Sequence, residues 1–156
     1  MSAILINKSR TACFSGHRIL DKQFNLRAVE EIIDKLIQKG FDTFLVGMAL
    51  GFDTVCFKIL EKVRKVRPIK IIACIPCVKQ ADRFNQKQKI EYDRMLLSAD
   101  DRIILSKEYT DRCMQKRNEF MVDNSSVLVC YLRQNRGGTF NTVNYAKKND
   151  VPIIEL

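Results

Sequence analysis

Along this chain, short apolar runs take turns with amphipathic stretches of helical spacing, and few architectures accept such an alternation. Asn25 to Lys39 carries Leu26, Val29, Ile32, Ile33, Leu36 and Ile37 three and four residues apart, and Gly40 follows as a helix stop. Gly51 to Arg64 repeats the pattern, with Val55, Leu60 and Val63 pointing inward. Gln80 to Leu97 is polar and then helical. Arg112 to Val122 reads as a helix with a basic face at Arg112, Lys116 and Arg117, and Thr139 to Lys148 as a shorter one. Between these lie strand-like runs at 11–15, 43–47, 69–75, 102–105, 126–132 and 152–156. Ile69 to Ile75 is almost continuously apolar, as expected of a strand buried on both faces.

Six strands alternating with five helices predict an α/β fold: a three-layer α/β/α sandwich around a Rossmann-like, mostly parallel sheet of about six strands. Right-handed crossovers leave few topologies, and the strand order expected among them is 3-2-1-4-5-6. At 156 residues, with no internal repeat, low-complexity segment or linker, the chain is expected to be one domain over 1–156. Hydrophobic residues at 46% and charged residues at 29% exclude a disordered tail, a collagen-like chain and a disulfide miniprotein. No run approaches the ~20 apolar residues that cross a bilayer, and Met1 to Arg10 lacks the apolar middle of a signal peptide. A soluble, cytoplasmic protein with no membrane partner is the expectation.

Twenty-seven Lys and Arg against eighteen Asp and Glu give a net charge of +9. That excess steers anionic partners without naming one, and a solubilising surface is the plain alternative. The six cysteines are Cys13, Cys56, Cys74, Cys77, Cys113 and Cys130. Cys13, Cys74 and Cys130 sit in strand-like runs and fit buried thiols of a reducing compartment. Only Cys74-Ile75-Pro76-Cys77 has redox spacing. With no second cysteine pair and His17 as the one histidine, no metal site is expected.

Five of the six glycines fall just after a predicted strand: Gly16, Gly47, Gly51, Gly137 and Gly138. In open α/β sheets that edge binds ligands, because glycine admits a close backbone approach and a following helix N-terminus favours an anion. Turns of this kind need glycine anyway, but the clustering into three loops points to one shared site. The first loop is Ser15-Gly16-His17-Arg18; Arg18 suits a phosphate or carboxylate, and His17 suits donation, proton transfer or a plain turn hydrogen bond. The second is Gly47-Met48-Ala49-Leu50-Gly51-Phe52-Asp53, which is neither a Walker A loop nor Gly-x-Gly-x-x-Gly. Its Asp53 can favour the helix dipole, accept from a ribose or hold the first loop. The third, Arg136-Gly137-Gly138-Thr139-Phe140-Asn141-Thr142, makes the best anion cradle, with Thr139 equally suited to cap the helix. Gln80, Arg83, Lys116, Arg117 and Asn118 lie in polar segments able to cover the site. For the 112–118 segment a solvated basic face is the alternative.

Taken together, Gly-Met-Ala-Leu-Gly-Phe-Asp (47–53), Ile-Pro-x-x-x-Gln-Ala-Asp-Arg (75–83), Cys-Met-x-Lys-Arg-Asn (113–118), Met-Val-Asp-Asn-Ser (121–125) and Gly-Gly-Thr-x-Asn-Thr-Val-x-Tyr-Ala (137–146) resemble the YpsA-like branch of the SLOG superfamily. The resemblance runs from about Cys13 to the C-terminus. It implies a Rossmann-like fold and a pocket for a nucleotide, nucleoside phosphate or ADP-ribose-like ligand. It also implies kinship with DprA, which binds single-stranded DNA, and with the Lonely Guy phosphoribohydrolases. Asn144 stands where the latter carry a catalytic Glu, and an amide cannot serve as that base. Cys77 stands where the pattern leads one to expect an apolar or aromatic residue, which makes the cysteine spacing look accidental.

Three functions follow as expectations. The first is a sensing or sequestering module for a nucleotide-type ligand, with no established cofactor. The second is a nucleotide-processing hydrolase or transferase using His17, Asp53, Asp82 or Asp123, with Glu91 and Tyr92 as weaker candidates. The third is single-stranded DNA binding, for which Phe52, Phe84 and Tyr109 are the available aromatics. A homodimer through an exposed helix face is a further expectation.

Overall fold

The apolar runs become strands and the amphipathic stretches become helices. In the computed structural model, which describes residues 4–156, a 3-10 turn (Lys8–Arg10) leads into β1 (Thr11–Gly16). There follow α1 (Leu26–Gln38), β2 (Thr43–Val46), α2 (Phe52–Arg64), β3 (Lys70–Ile75) and α3 (Gln86–Ser98). The chain continues through β4 (Asp101–Ile104), α4 (Cys113–Asp123), β5 (Val127–Tyr131), α5 (Gly138–Lys148) and β6 (Ile153–Glu155). All five strand pairings are parallel. This is the Rossmann-like α/β architecture the alternation predicts.

Period-two alternation within the strands builds two cores. Ala12, Phe14, Phe44, Val46, Ile71, Ala73, Val127 and Val129 face α1, α2 and α3. Their neighbours Cys13, Leu45, Ile72, Cys74, Leu128 and Cys130 face α4 and α5. A sheet buried on both faces has no room for charge, which is why β5 and, after the exposed Lys70, the rest of β3 read as unbroken apolar runs.

The strand order is β4-β3-β2-β1-β5-β6, not 3-2-1-4-5-6. Strand β4 pairs outside β3, with Ile72 opposite Asp101, instead of beside β1. The reason is visible in β4 itself: it has four residues, and its Arg102 and Ile104 are exposed. Such a strand suits a sheet edge and would leave the centre poorly covered. The order therefore reverses between β1 and β5.

Helix starts divide into two kinds. Asn25 caps α1, accepting from the Ala28 N–H at 3.3 Å, and Asn85 caps α3 in a reciprocal box with Gln88. Helices α2, α4 and α5 begin without any side-chain cap. Gly137 holds the cap position of α5, so Thr139 is not the cap; it lies in the first turn with its side chain buried. The predicted basic face of α4 is also corrected. Cys113, Arg117, Asn118, Met121 and Val122 form its buried side, and only Arg112 and Lys116 of that cationic trio are exposed. Among the described residues no helix is long and apolar enough to cross a membrane.

Candidate functional site

Where the strand order reverses, the loops after β1 and β5 diverge and leave a cleft of about 640 Å³. This is the place where open parallel sheets hold ligands. Phe14, Ser15 and Gly16 form its floor; His17 and Arg18 form one wall. Ala49 and Asp53 enter from the β2–α2 loop, and Arg117 and Asn118 from α4. Arg133, Gln134, Gly138 and Thr139 complete it from the β5–α5 loop.

Other residues of the three loops support the cleft from behind. Gly47 offers its carbonyl to two buried donors, the Arg117 guanidinium and Gln80 Nε2 (2.9 Å). Gln80 Oε1 in turn accepts from the Tyr92 hydroxyl at 2.9 Å, which makes both residues framework. Met48 is buried, in a left-handed conformation (φ 65°), against α3. Gly137 makes the turn into α5, Asn141 is exposed, and Thr142 donates to the Gly138 carbonyl at 2.7 Å. Lys116 and Asn144 face solvent. Arg83 and Asp82 line a neighbouring groove. Asp123 lies at the C-terminal end of α4, where it accepts from the Tyr145 hydroxyl at 2.8 Å. Helices run back against the strands, so Asp123 sits at the opposite sheet edge from the cleft. Glu91 is tied to Arg94 and Lys58.

Gly51 fixes how the second loop meets the first. It adopts φ 80°, and a Cβ there would lie 2.2 Å from the Arg18 carbonyl oxygen. Gly51→Ala therefore combines backbone strain with a clash that no side-chain motion relieves. A loss of roughly 2 kcal/mol is expected, read as a lower urea midpoint at unchanged slope.

Two N–H groups of the second loop are already used within the protein. Phe52 N–H donates to the His17 carbonyl at 3.1 Å, and Ala49 N–H to Asp53 Oδ2 at 3.1 Å. Asp53 thus holds its own loop, not the first. Its other oxygen, Oδ1, is buried with no partner among the described residues, at the cleft wall. Burial pushes its pKa from 3.8 up to about 6, against the pull of the Arg117 charge and the Ala49 N–H.

Arg117 is 4% exposed and makes no ion pair within 4 Å among the described residues. Besides the Gly47 carbonyl, Nε donates to Asn118 Oδ1 at 2.7 Å. Burial lowers its pKa, and the Asp53 charge is the largest influence opposing that. His17 is not held within its own turn. Its Nε2 accepts from the Arg133 N–H at 2.8 Å, joining the first and third loops, and its ring meets Tyr131 edge-on. Burial, then the Arg133 charge, lowers its pKa. The imidazole is thereby kept neutral.

Arg133 and Gln134 are cleft residues that the sequence reading missed. The available signal was position: both lie two to three residues after β5, at the strand end that feeds the third loop. Arg133 lies over the Tyr131 ring, 4.2 Å from its centre, and pairs with Asp21 at 3.5 Å. All six cysteines are free and buried. Cys74 faces the α4–α5 core, whereas Cys77 sits beside Cys113, so the two cysteines of the 74–77 spacing do not face each other. Burial raises the Cys13, Cys74 and Cys130 thiols to about 12, far from the reactive range. Among the described residues, no cluster of His, Cys, Asp or Glu is arranged to hold a metal ion.

Comparison with known proteins agrees with this architecture. The sequence model of the YspA SLOG family matches residues 21–153. The uncharacterized SPbeta prophage-derived protein YoqJ of Bacillus subtilis (strain 168) is 34% identical over 136 residues, which cover 79% of this chain and 78% of YoqJ. Among solved structures, DNA processing protein A (DprA) from Streptococcus pneumoniae superposes with a TM-score of 0.70 at 19% identity. The match covers 93% of this chain but 49% of DprA, so the chain spans about half of that protein's length. DprA from Helicobacter pylori, a protein with a single-stranded DNA binding mode, gives 0.64 at 17% identity over 93% of this chain and 64% of its own. At these identities the structural likeness establishes the shared fold.

Proposed function

The chain belongs to the YspA SLOG family, and from that premise we propose that its cleft binds a nucleotide, nucleoside phosphate or ADP-ribose-like ligand as a sensing or sequestering module. One observation carries the reading: Asp53, whose buried Oδ1 has no partner among the described residues, lines a cleft together with Arg18, Arg117 and Arg133. A buried acceptor left without a donor is costly, and a ligand hydroxyl would satisfy it. The uncapped start of α5 at Gly138 and Thr139 offers backbone N–H groups and a favourable dipole to a phosphate across the cleft. Ribose hydroxyls on Asp53 and phosphate on α5, flanked by arginines, use both ends.

Binding without turnover fits the lining. Asp53 is the one carboxylate among the lining residues, and His17 Nε2 is occupied. A nucleotide-processing enzyme is the second reading, favoured by Asp53 alone, whose raised pKa of about 6 suits proton transfer near neutrality. Native mass spectrometry of the gently purified protein, followed by denaturing release, separates the two. An intact nucleoside phosphate or ADP-ribose derivative supports the module; a cleaved product supports the enzyme. A bare chain from every preparation would count against tight sequestration.

Gly138 supplies a directed variant. A Cβ there meets nothing within 4 Å, and its φ is not left-handed. Gly138→Asp should therefore fold normally while placing a carboxylate at the α5 N-terminus. The co-purified mass is expected to be lost, a drop in affinity of at least about tenfold, with the melting temperature within about 2 °C of wild type. Retained ligand in the folded variant would remove the third loop from the site.

A further inference from the structure

Beside the cleft runs a second groove of about 480 Å³, between the β3–α3 loop and the β4–α4 loop. The two share Arg18 and Met114 as lining residues and therefore adjoin. We propose that this groove is a second nucleotide subsite, so that the protein takes a dinucleotide whose second base stacks on Tyr109. The inference rests on the nucleotide reading of the cleft and deepens it by naming the ligand class.

The chemistry of the groove matches a second unit. Lys79 and Arg83 line it with Arg18, against a single carboxylate, Asp82. Among the described residues none of these three cations makes an ion pair within 4 Å. Unpaired cations beside one acid are suited to a phosphate. Tyr109 is 61% exposed and, among the described residues, stacks on no other ring. An exposed ring beside cations is the arrangement on which successive bases stack. Phe84, the other aromatic of the groove, packs edge-on against Tyr92 and stiffens the wall. The main cleft alone already has the volume of a small-molecule site, so one nucleoside phosphate would leave the groove unused. Arg18 at the junction is placed to meet the phosphate that joins the two units.

The test is titration of the four nucleoside 5′-monophosphates and the four matching 5′-phosphorylated homodinucleotides against wild type, Tyr109→Ala and Arg83→Ala. Both substituted side chains are exposed and outside the cleft. At least one dinucleotide is expected to bind wild type about tenfold or more tightly than its monophosphate. Each substitution should remove most of that gain and leave monophosphate affinity unchanged. Equal affinities in wild type, or a gain that survives both substitutions, overturn the subsite while the cleft reading stands. Absence of binding by every one of these probes and by free ADP-ribose overturns the cleft reading and the subsite with it. Affinity that keeps climbing with length to a ten-nucleotide strand overturns the two-unit limit and makes the groove a single-strand track.

Discussion

Arg117→Ala is expected to destabilise the protein by about 2–4 kcal/mol, because it strips hydrogen bonds from buried partners and truncates a side chain that is 4% exposed. Three groups lose their partner together. Asn118 Oδ1 is left without a donor, the Gly47 carbonyl keeps only Gln80, and Asp53 loses the cation that opposes its burial. A cavity is added beneath the cleft. Lys116→Ala, one residue earlier and exposed, should stay within about 0.5 kcal/mol of wild type. Arg117→Met fills much of the space without importing a charge and should fall between the two. Urea midpoints at unchanged slope decide the matter, and equal losses for the two alanine variants would refute the buried role. A further sign is expected in Arg117→Met: the pH at which Asp53 titrates should move up, since a favourable charge has gone.

Asp53→Asn should act in the opposite direction on stability. The folded protein holds the Asp53 proton more tightly than the unfolded chain, because burial raises the pKa from 3.8 to about 6. Stability therefore falls as pH rises through that window, and the penalty is complete above it. At about 1.4 kcal/mol per pH unit, the ionised carboxyl costs roughly 3 kcal/mol at neutral pH; the Arg117 attraction is already inside that balance. The neutral amide can keep the Ala49 N–H bond through its oxygen. A gain smaller than that is expected at pH 7.5, because the amide N–H₂ at the Oδ1 position is a buried donor without an acceptor, with a flatter stability profile between pH 4 and 6. Ligand affinity should fall at the same time, because an amide N–H₂ would replace the free acceptor Oδ1. Greater stability with weaker binding is a signature that general damage does not produce.

These two residues also show what the sequence disclosed and what it withheld. Strand and helix positions were legible because periodicity is local: the 69–75 run and the 3.6-residue spacing of α1 each report their own burial. The site edge was legible because glycines gathered after strands. The placement of β4 was not, since it depends on which edge a crossover chooses, although the exposed alternation at Arg102 and Ile104 marks an edge strand. In the sequence Arg117 reads as part of a basic face, covering the ligand or solvated, because arginine is mostly exposed. Its spacing said otherwise: Cys113, Arg117 and Met121 repeat every four residues, with Asn118 and Val122 beside them on the same buried stripe. His17 could be placed in the first loop, but its bond to Arg133 spans 116 positions and no local pattern encodes it.

The contact between Gly47 and Arg117 reaches beyond stability, into which sequences this fold can drift through. A Cβ at residue 47 would lie 2.8–3.0 Å from the guanidinium. Any larger side chain at 47 collides with the arginine, whereas loss of the arginine first removes the three nearest atoms that the same change would meet. The two positions are thus epistatic: a substitution harmful in one background becomes tolerable in the other, and their effects will not add. Descendants of this sequence that abandon the buried arginine are free to abandon the glycine, but the reverse order is closed.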